Sequence, residues 1–219
     1  MRHVTPRQTS EDSGTVVSLY KFWPQMPDSP IRLIESYWAS LREGNRLPAR
    51  AQIDPRGLER ILAHVFILER IGPGLARFRI AGSHLTRVAG VEVRGVPVST
   101  LFRLPARPVL GAALDACFDM PAIVKAPLRA DPIGRGAALP GDLILLPMTC
   151  HQGKTTRILG AIAMRGHLDA LGYRLDLGQP EIRPVNGEQT ATTSAPRPQP
   201  VALRPTRRRL ELVPPVEDG

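Results

Sequence analysis

The chain has 219 residues, 42% of them hydrophobic and 5% aromatic, with a formal net charge of +9 and an isoelectric point near 10.7. This permits one domain with tails, or two small ones, around a modest core. No stretch supplies the ~20 apolar residues of a membrane helix, the polar N-terminus has no leader-like apolar run, and Cys117 and Cys150 lack CxxC spacing or a histidine cluster, so a soluble cytoplasmic protein with two reduced, buried thiols is expected.

The basic excess is uneven. It lies wholly before Gly166, where 22 basic residues face 13 acidic ones, and nearly all of it is arginine. A basic surface speeds encounter with anionic partners, but arginines scattered through a domain read first as a solvated face.

In chain order, residues 1–28 show no sustained period and are expected to be poorly ordered, although Val16–Tyr20 and Phe22-Trp23 are locally apolar. Ser29-Pro30 is a cap followed by a proline fit for a first helical turn. Ile31, Ile34, Tyr37 or Trp38, and Leu41 then recur on one face of a helix that Gly44 ends. Asp54-Pro55 repeats the start signal for a short helix with Leu58, Ile61 and Leu62 inward. Two β-rich runs, His64–Ile71 and Leu75–Gly82, flank Gly72-Pro73-Gly74 and predict a hairpin. Val65–Leu68 is apolar on both faces, as a central strand would be. In the second run Arg77 and Arg79 alternate with Phe78 and Ile80, which predicts one wet and one dry face.

A short helix opens at Gly82-Ser83 and closes at Gly90, with Leu85 and Val88 inward; Leu101-Phe102 is placed to plug the core. A longer helix spans Pro105 to Met120, with Leu110, Leu114, Cys117 and Phe118 in one stripe. Three strands follow, over Ala122–Leu128, Asp142–Cys150 and Arg157–Met164. The fold class is therefore α+β: two strands, a helical crossing and a three-strand meander in one five-stranded antiparallel sheet. After Met164 Tyr173 is the one aromatic and eight prolines occur, so 166–219 reads as a mostly disordered tail with a basic-apolar end at Arg207–Arg209. The domain is expected over 29–165.

The ordered set Tyr37-Trp38, Leu47-Pro-Ala-Arg50, Ile53-Asp-Pro55, His64-Val-Phe-Ile-Leu68, Phe78-Arg79-Ile80 and Gly82, with Leu145-Leu-Pro-Met148 and Ile158-Leu-Gly-Ala161, resembles a bacterial PAS-like family. The likeness runs from about Ile31 to Met164. It implies a PAS fold, a five-stranded antiparallel sheet with helices over one face, here with an added N-terminal helix and disordered tails. It also implies a stand-alone sensory or interaction module that signals by binding, through a protein partner or its own copy. PAS domains often dimerise through the helix before the sheet, which makes Tyr37 and Trp38 interface candidates; both also suit a core.

No GxSxG, P-loop, HExxH or CxxC motif occurs, and His3, His64, His84, His151 and His167 lack ligand spacing. No catalysis, metal or cofactor is expected, and haem on His64 or His84, or flavin at Cys117, finds no supporting motif. A pocket for a small ligand, if open, is expected between the sheet and its helices, with Phe78, Leu85, Val88, Leu101, Leu114, Phe118, Leu145 and Ile162 as lining candidates, each of which reads first as plain core. The alternative is a polyanion-binding protein using Arg42, Arg46, Arg50, Arg77, Arg79 and the Arg207 triplet. Scarce aromatics disfavour nucleic acid as the partner.

Overall fold

The computed structural model describes residues 29–185 except 45, 151 and 152. The expectations for 1–28, His151 and Arg207–Arg209 lie outside the described residues. Helix α1, Pro30–Ser40, buries Ile31, Ile34 and Trp38, one stripe at helical spacing. Ser29 holds its start through the backbone rather than the hydroxyl: its carbonyl accepts the N–H groups of Arg32 and Leu33, each at 3.0 Å. A 3-10 helix, Pro55–His64, follows, with Asp54 Oδ1 accepting Arg56 N–H at 2.9 Å. Three residues per turn align Leu58 with Ile61. Both are buried, whereas Leu62, expected inward, turns off that line and is 45% exposed.

Strands β1 (Val65–Gly72), β2 (Leu75–Ala81), β3 (Ala122–Pro132), β4 (Leu139–Thr149) and β5 (Thr155–Met164) are the five expected, and all pair antiparallel. β1 is central, between β2 and β5. Helices α2 (Ser83–Ala89) and α3 (Arg107–Asp119) cross between β2 and β3. Gly90 closes α2 in the left-handed region at φ 75°, where its missing Cβ leaves room for the carbonyl of Leu171.

The sheet is covered on both faces. On the inner face Phe66, Leu68 and Phe78 pack with Leu85 and Val88 of α2 and Leu110, Leu114 and Phe118 of α3, and Leu101 and Phe102 plug this layer as expected. On the outer face Ile31, Ile34 and Trp38 of α1, with Leu58 and Ile61, cover Val65, Ile67, Ile144, Leu146 and Leu159. The second helical segment, not assigned to a face by its sequence, thus joins α1 outside.

The sheet also continues past the boundary expected at 165. Strands β6, Tyr173–Leu177, and β7, Glu181–Pro184, pair end to end along the free edge of β3. The break between them faces Pro127, which has no N–H to donate there; its carbonyl instead accepts Gly178 N–H at 2.9 Å. Tyr173 and Leu175 are fully buried, which anchors a segment read as tail. The tyrosine hydroxyl accepts the N–H groups of Asp169 and Ala170 and donates to Asp169 Oδ1.

Candidate functional site

The eight pocket candidates do come together. Phe78, Leu85, Val88, Leu101, Leu114, Phe118, Leu145 and Ile162 all belong to the inner cluster, and none is more than 4% exposed. The hairpin is pinned over this layer by Arg70, whose guanidinium lies over the Phe118 ring at 5.2 Å and pairs with Asp115 and Asp119. Asp115 Oδ1 also accepts Gly74 N–H at 2.7 Å.

Tyr37 and Trp38 face work inside the chain. The Trp38 indole N–H donates to the Pro147 carbonyl at 2.9 Å, and its side chain is 1% exposed. It is core, so the interface role expected of it has no exposed surface to act through. The Tyr37 hydroxyl accepts Asp54 N–H at 2.8 Å and donates to the Asp54 carbonyl at 3.1 Å. Its ring covers Gly57, where a Cβ would come within 2.4 Å of it. These two residues fasten α1 to the 3-10 helix and to the sheet, which gives the Tyr-Trp and Ile-Asp-Pro segments a structural role.

An accessible apolar groove lies on the outer face, away from the eight candidates. A groove of about 470 Å³ runs between the 3-10 helix and the β1–β2 pair. Val65, Ile67 and Leu159 floor it, Leu58 and Leu62 form one wall, and Ile80 forms the other. Leu62 and Ile80 are each 45% exposed across its mouth. Arg50 and Ser83 are its polar members. Strict alternation along the sequence places Ile80 on the dry face with Phe78. A bulge at Arg79 separates them: Ile80 pairs with Ile67 but Phe78 with Leu68, so one extra residue moves Ile80 to the opposite face.

Beyond Ile67 and Leu159 the same face carries Glu69 and Arg157, cross-strand partners; Glu69 also faces Arg77. Glu69 pairs with Arg77 at 2.7 Å, with Arg79 at 3.4 Å and with Arg157. Burial opposes its charge, but hydrogen bonds from Arg157 and Arg77 outweigh that and hold its carboxyl below the usual range. Three arginines share one carboxylate, so this end of the face is net positive. Of the other arginines singled out, Arg42 lies over the Trp38 ring at 5.3 Å, and Arg46 is exposed in the following turn. A wider cleft of about 550 Å³ beside Phe102 and Leu104 is occupied by its own charges, Arg103 pairing with Asp131 and Asp176.

Among the described residues no group of three or more His, Cys, Asp or Glu side chains is placed to hold a metal ion. Cys117 is buried, donates to the Ala122 carbonyl at 3.0 Å, and burial pushes its thiol far up, the opposite of a reactive cysteine. The rings of His64 and His84 lie against each other at a tilt of 40°, with centroids 4.2 Å apart. His64 Nδ1 is 3.1 Å from the Ile162 carbonyl and so donates to it, while His84 Nε2 accepts Met164 N–H at 3.3 Å.

That acceptor role requires a neutral His84. Burial, then His64 and Arg87, pull it from 6.5 down to about 4. Across that interval the unfolded chain binds the extra proton, so this group removes stability as pH falls from about 6.5 to about 4. Asp142, 5% exposed on the outer face, acts oppositely. Burial raises its carboxyl from 3.8 to about 6 against the pull of Arg165 at 2.5 Å, so here the folded state binds the proton and gains stability on acidification. Its Oδ1 has no hydrogen-bond partner among the described residues. We expect Asp142→Asn to be as stable as the parent or roughly 1–2 kcal/mol more stable at pH 7.5, and to lose more stability than the parent between pH 6 and 4. Urea unfolding at three pH values reads both.

A family model described as PAS domain matches residues 26–163. The chain belongs to the PAS domain family. Such domains are sensory and interaction modules, generally without catalysis. This PAS domain is similar to the solved structure of an RNA-binding light-oxygen-voltage receptor, with 17% identity and a TM-score of 0.38; the likeness covers 53% of this chain and 35% of that one, so the chain spans about a third of that protein's length. No curated protein matches. No helix among the described residues is long and apolar enough to cross a membrane.

Proposed function

We propose that this PAS domain is a sensory module of bacterial signalling that catalyses nothing itself and acts by binding a small ligand or a protein partner in the outer-face groove. The groove itself carries the reading: a half-open apolar recess against the central strand, with apolar side chains left in water at its mouth. Soluble domains seldom leave such a concave apolar site without use. One wall is the 3-10 helix, and Tyr37 ties that wall to α1, so an occupant that orders the wall is felt at the N-terminal helix. The eight inner-face residues supply the rigid layer beneath.

Native mass spectrometry of the freshly purified full chain tests this. The expected spectrum shows a copurified adduct or a dimer that Ile80→Glu removes. A bare monomer in both proteins, with no thermal shift from any added compound class, overturns it.

The second reading, a polyanion-binding surface, is favoured by the Arg77, Arg79 and Arg157 cluster. It requires a nucleic-acid mobility shift at low salt that weakens steeply as salt rises; no shift at any salt removes it.

A further inference from the structure

We propose that the outer-face groove binds an amphiphile with a single anionic head, of the class of medium- to long-chain carboxylates, its tail along β1 and its head at Arg50. This rests on the groove being the binding site, as argued above, and names what it takes.

Size, polarity and charge converge on that class. About 470 Å³ lies within the range of small-molecule sites. The floor and both walls offer a chain only hydrocarbon, from Leu58, Leu62, Val65, Ile67, Ile80 and Leu159. The Arg50 guanidinium has no hydrogen-bond or ion-pair partner among the described residues, unlike Arg77, Arg79 and Arg157, which share Glu69.

Arg50 also stands at the correct end. Ala49 bridges Thr149, just past the β4–β5 contact of Met148 with Arg157, so Arg50 enters the groove from the end of the sheet that carries Arg157. The opposite end closes at Ser83 and Gly82, whose N–H donates to the Val65 carbonyl at 2.8 Å. The groove is therefore apolar along its length and positive at one end. That potential favours one anion over a neutral or cationic head. A protein partner fits less well. Stable interfaces bury about 800 Å² on each side, whereas the large apolar side chains of this lining are mostly recessed, with Leu62 and Ile80 the two that stand out.

The test titrates the full chain by calorimetry with octanoate, decanoate, dodecanoate and 1-dodecanol below their aggregation limits. Dodecanoate is expected to bind, with affinity rising up to about fourfold for each added methylene. Dodecanol is expected to bind at least tenfold more weakly. Arg50→Ala should lower dodecanoate affinity about tenfold and leave dodecanol unchanged, and Ile80→Glu should abolish both. Both altered side chains reach the surface, and circular dichroism confirms the fold.

Equal binding of acid and alcohol overturns the head contact, and unchanged dodecanoate binding in both variants overturns the location. If no probe binds, the ligand class is wrong. Mass spectra of parent and Ile80→Glu then decide separately whether the groove holds something else, a second copy included, or whether the binding reading fails as well.

Discussion

Gly160→Ala is expected to lower stability by about 3 kcal/mol, and Gly160→Val by more. Gly160 sits mid-strand in β5, opposite Phe66 of β1 and Leu145 of β4. The Phe66 ring lies directly across it. A Cβ there would stand 2.4 Å from ring carbons Cε2 and Cζ and 2.8 Å from the Ile144 carbonyl oxygen. The ring has nowhere to retreat, being fully buried and set edge-on to Phe78 with centroids 5.6 Å apart. Backbone on one side and a packed aromatic pair on the other convert one methyl group into strain across the central strands.

Urea unfolding of four proteins checks the cause as well as the cost. Phe66→Leu removes the ring edge, so in the double variant Gly160→Ala should cost at least ~1 kcal/mol less than in the parent. A single variant within ~0.5 kcal/mol of the parent would show that the ring shifts freely and that the inner layer is looser than its burial implies.

Trp38→Ala is expected to cost about 4 kcal/mol. The side chain fills the outer core between α1 and the sheet, and its indole N–H satisfies the Pro147 carbonyl. Truncation leaves a cavity and strips a buried acceptor of its donor. Trp38→Phe separates the two effects, keeping most of the volume and losing only the hydrogen bond, at about 1–2 kcal/mol. Because the indole is spent within its own chain, light scattering of still-folded Trp38→Ala should give the parent's mass. A changed mass with the fold intact would place this residue at a contact between copies.

Much of the scaffold is legible locally. Gly72-Pro73-Gly74 announces the hairpin because only such residues tolerate the turn; Gly74 has φ 62° and leaves room for the backbone of Gly111. The α3 stripe of Leu110, Leu114, Cys117 and Phe118 is buried as its spacing demands. The inner apolar cluster follows from those same periods.

The groove is not legible in that way. Arg77-Phe78-Arg79-Ile80 spells strict alternation, and no residue in it announces the bulge that sends Phe78 inward and Ile80 outward. Leu62 belongs to an apolar stripe if the helix has 3.6 residues per turn and leaves it if the helix has three. β6 carries its own alternation in Tyr173, Leu175 and Leu177, yet a proline-rich setting hid it, and only the free edge of β3 gives that segment a partner.

Taken alone, the order of residues determines where the chain turns, which stretches are helix or strand and which residues are apolar enough for an interior, because each depends on neighbours a few positions away. Tertiary pairing decides which apolar residues stay in water. Exposure at Leu62 and Ile80, and the free guanidinium of Arg50 beside them, arise where three distant segments meet, and register between such segments is set by their joint packing.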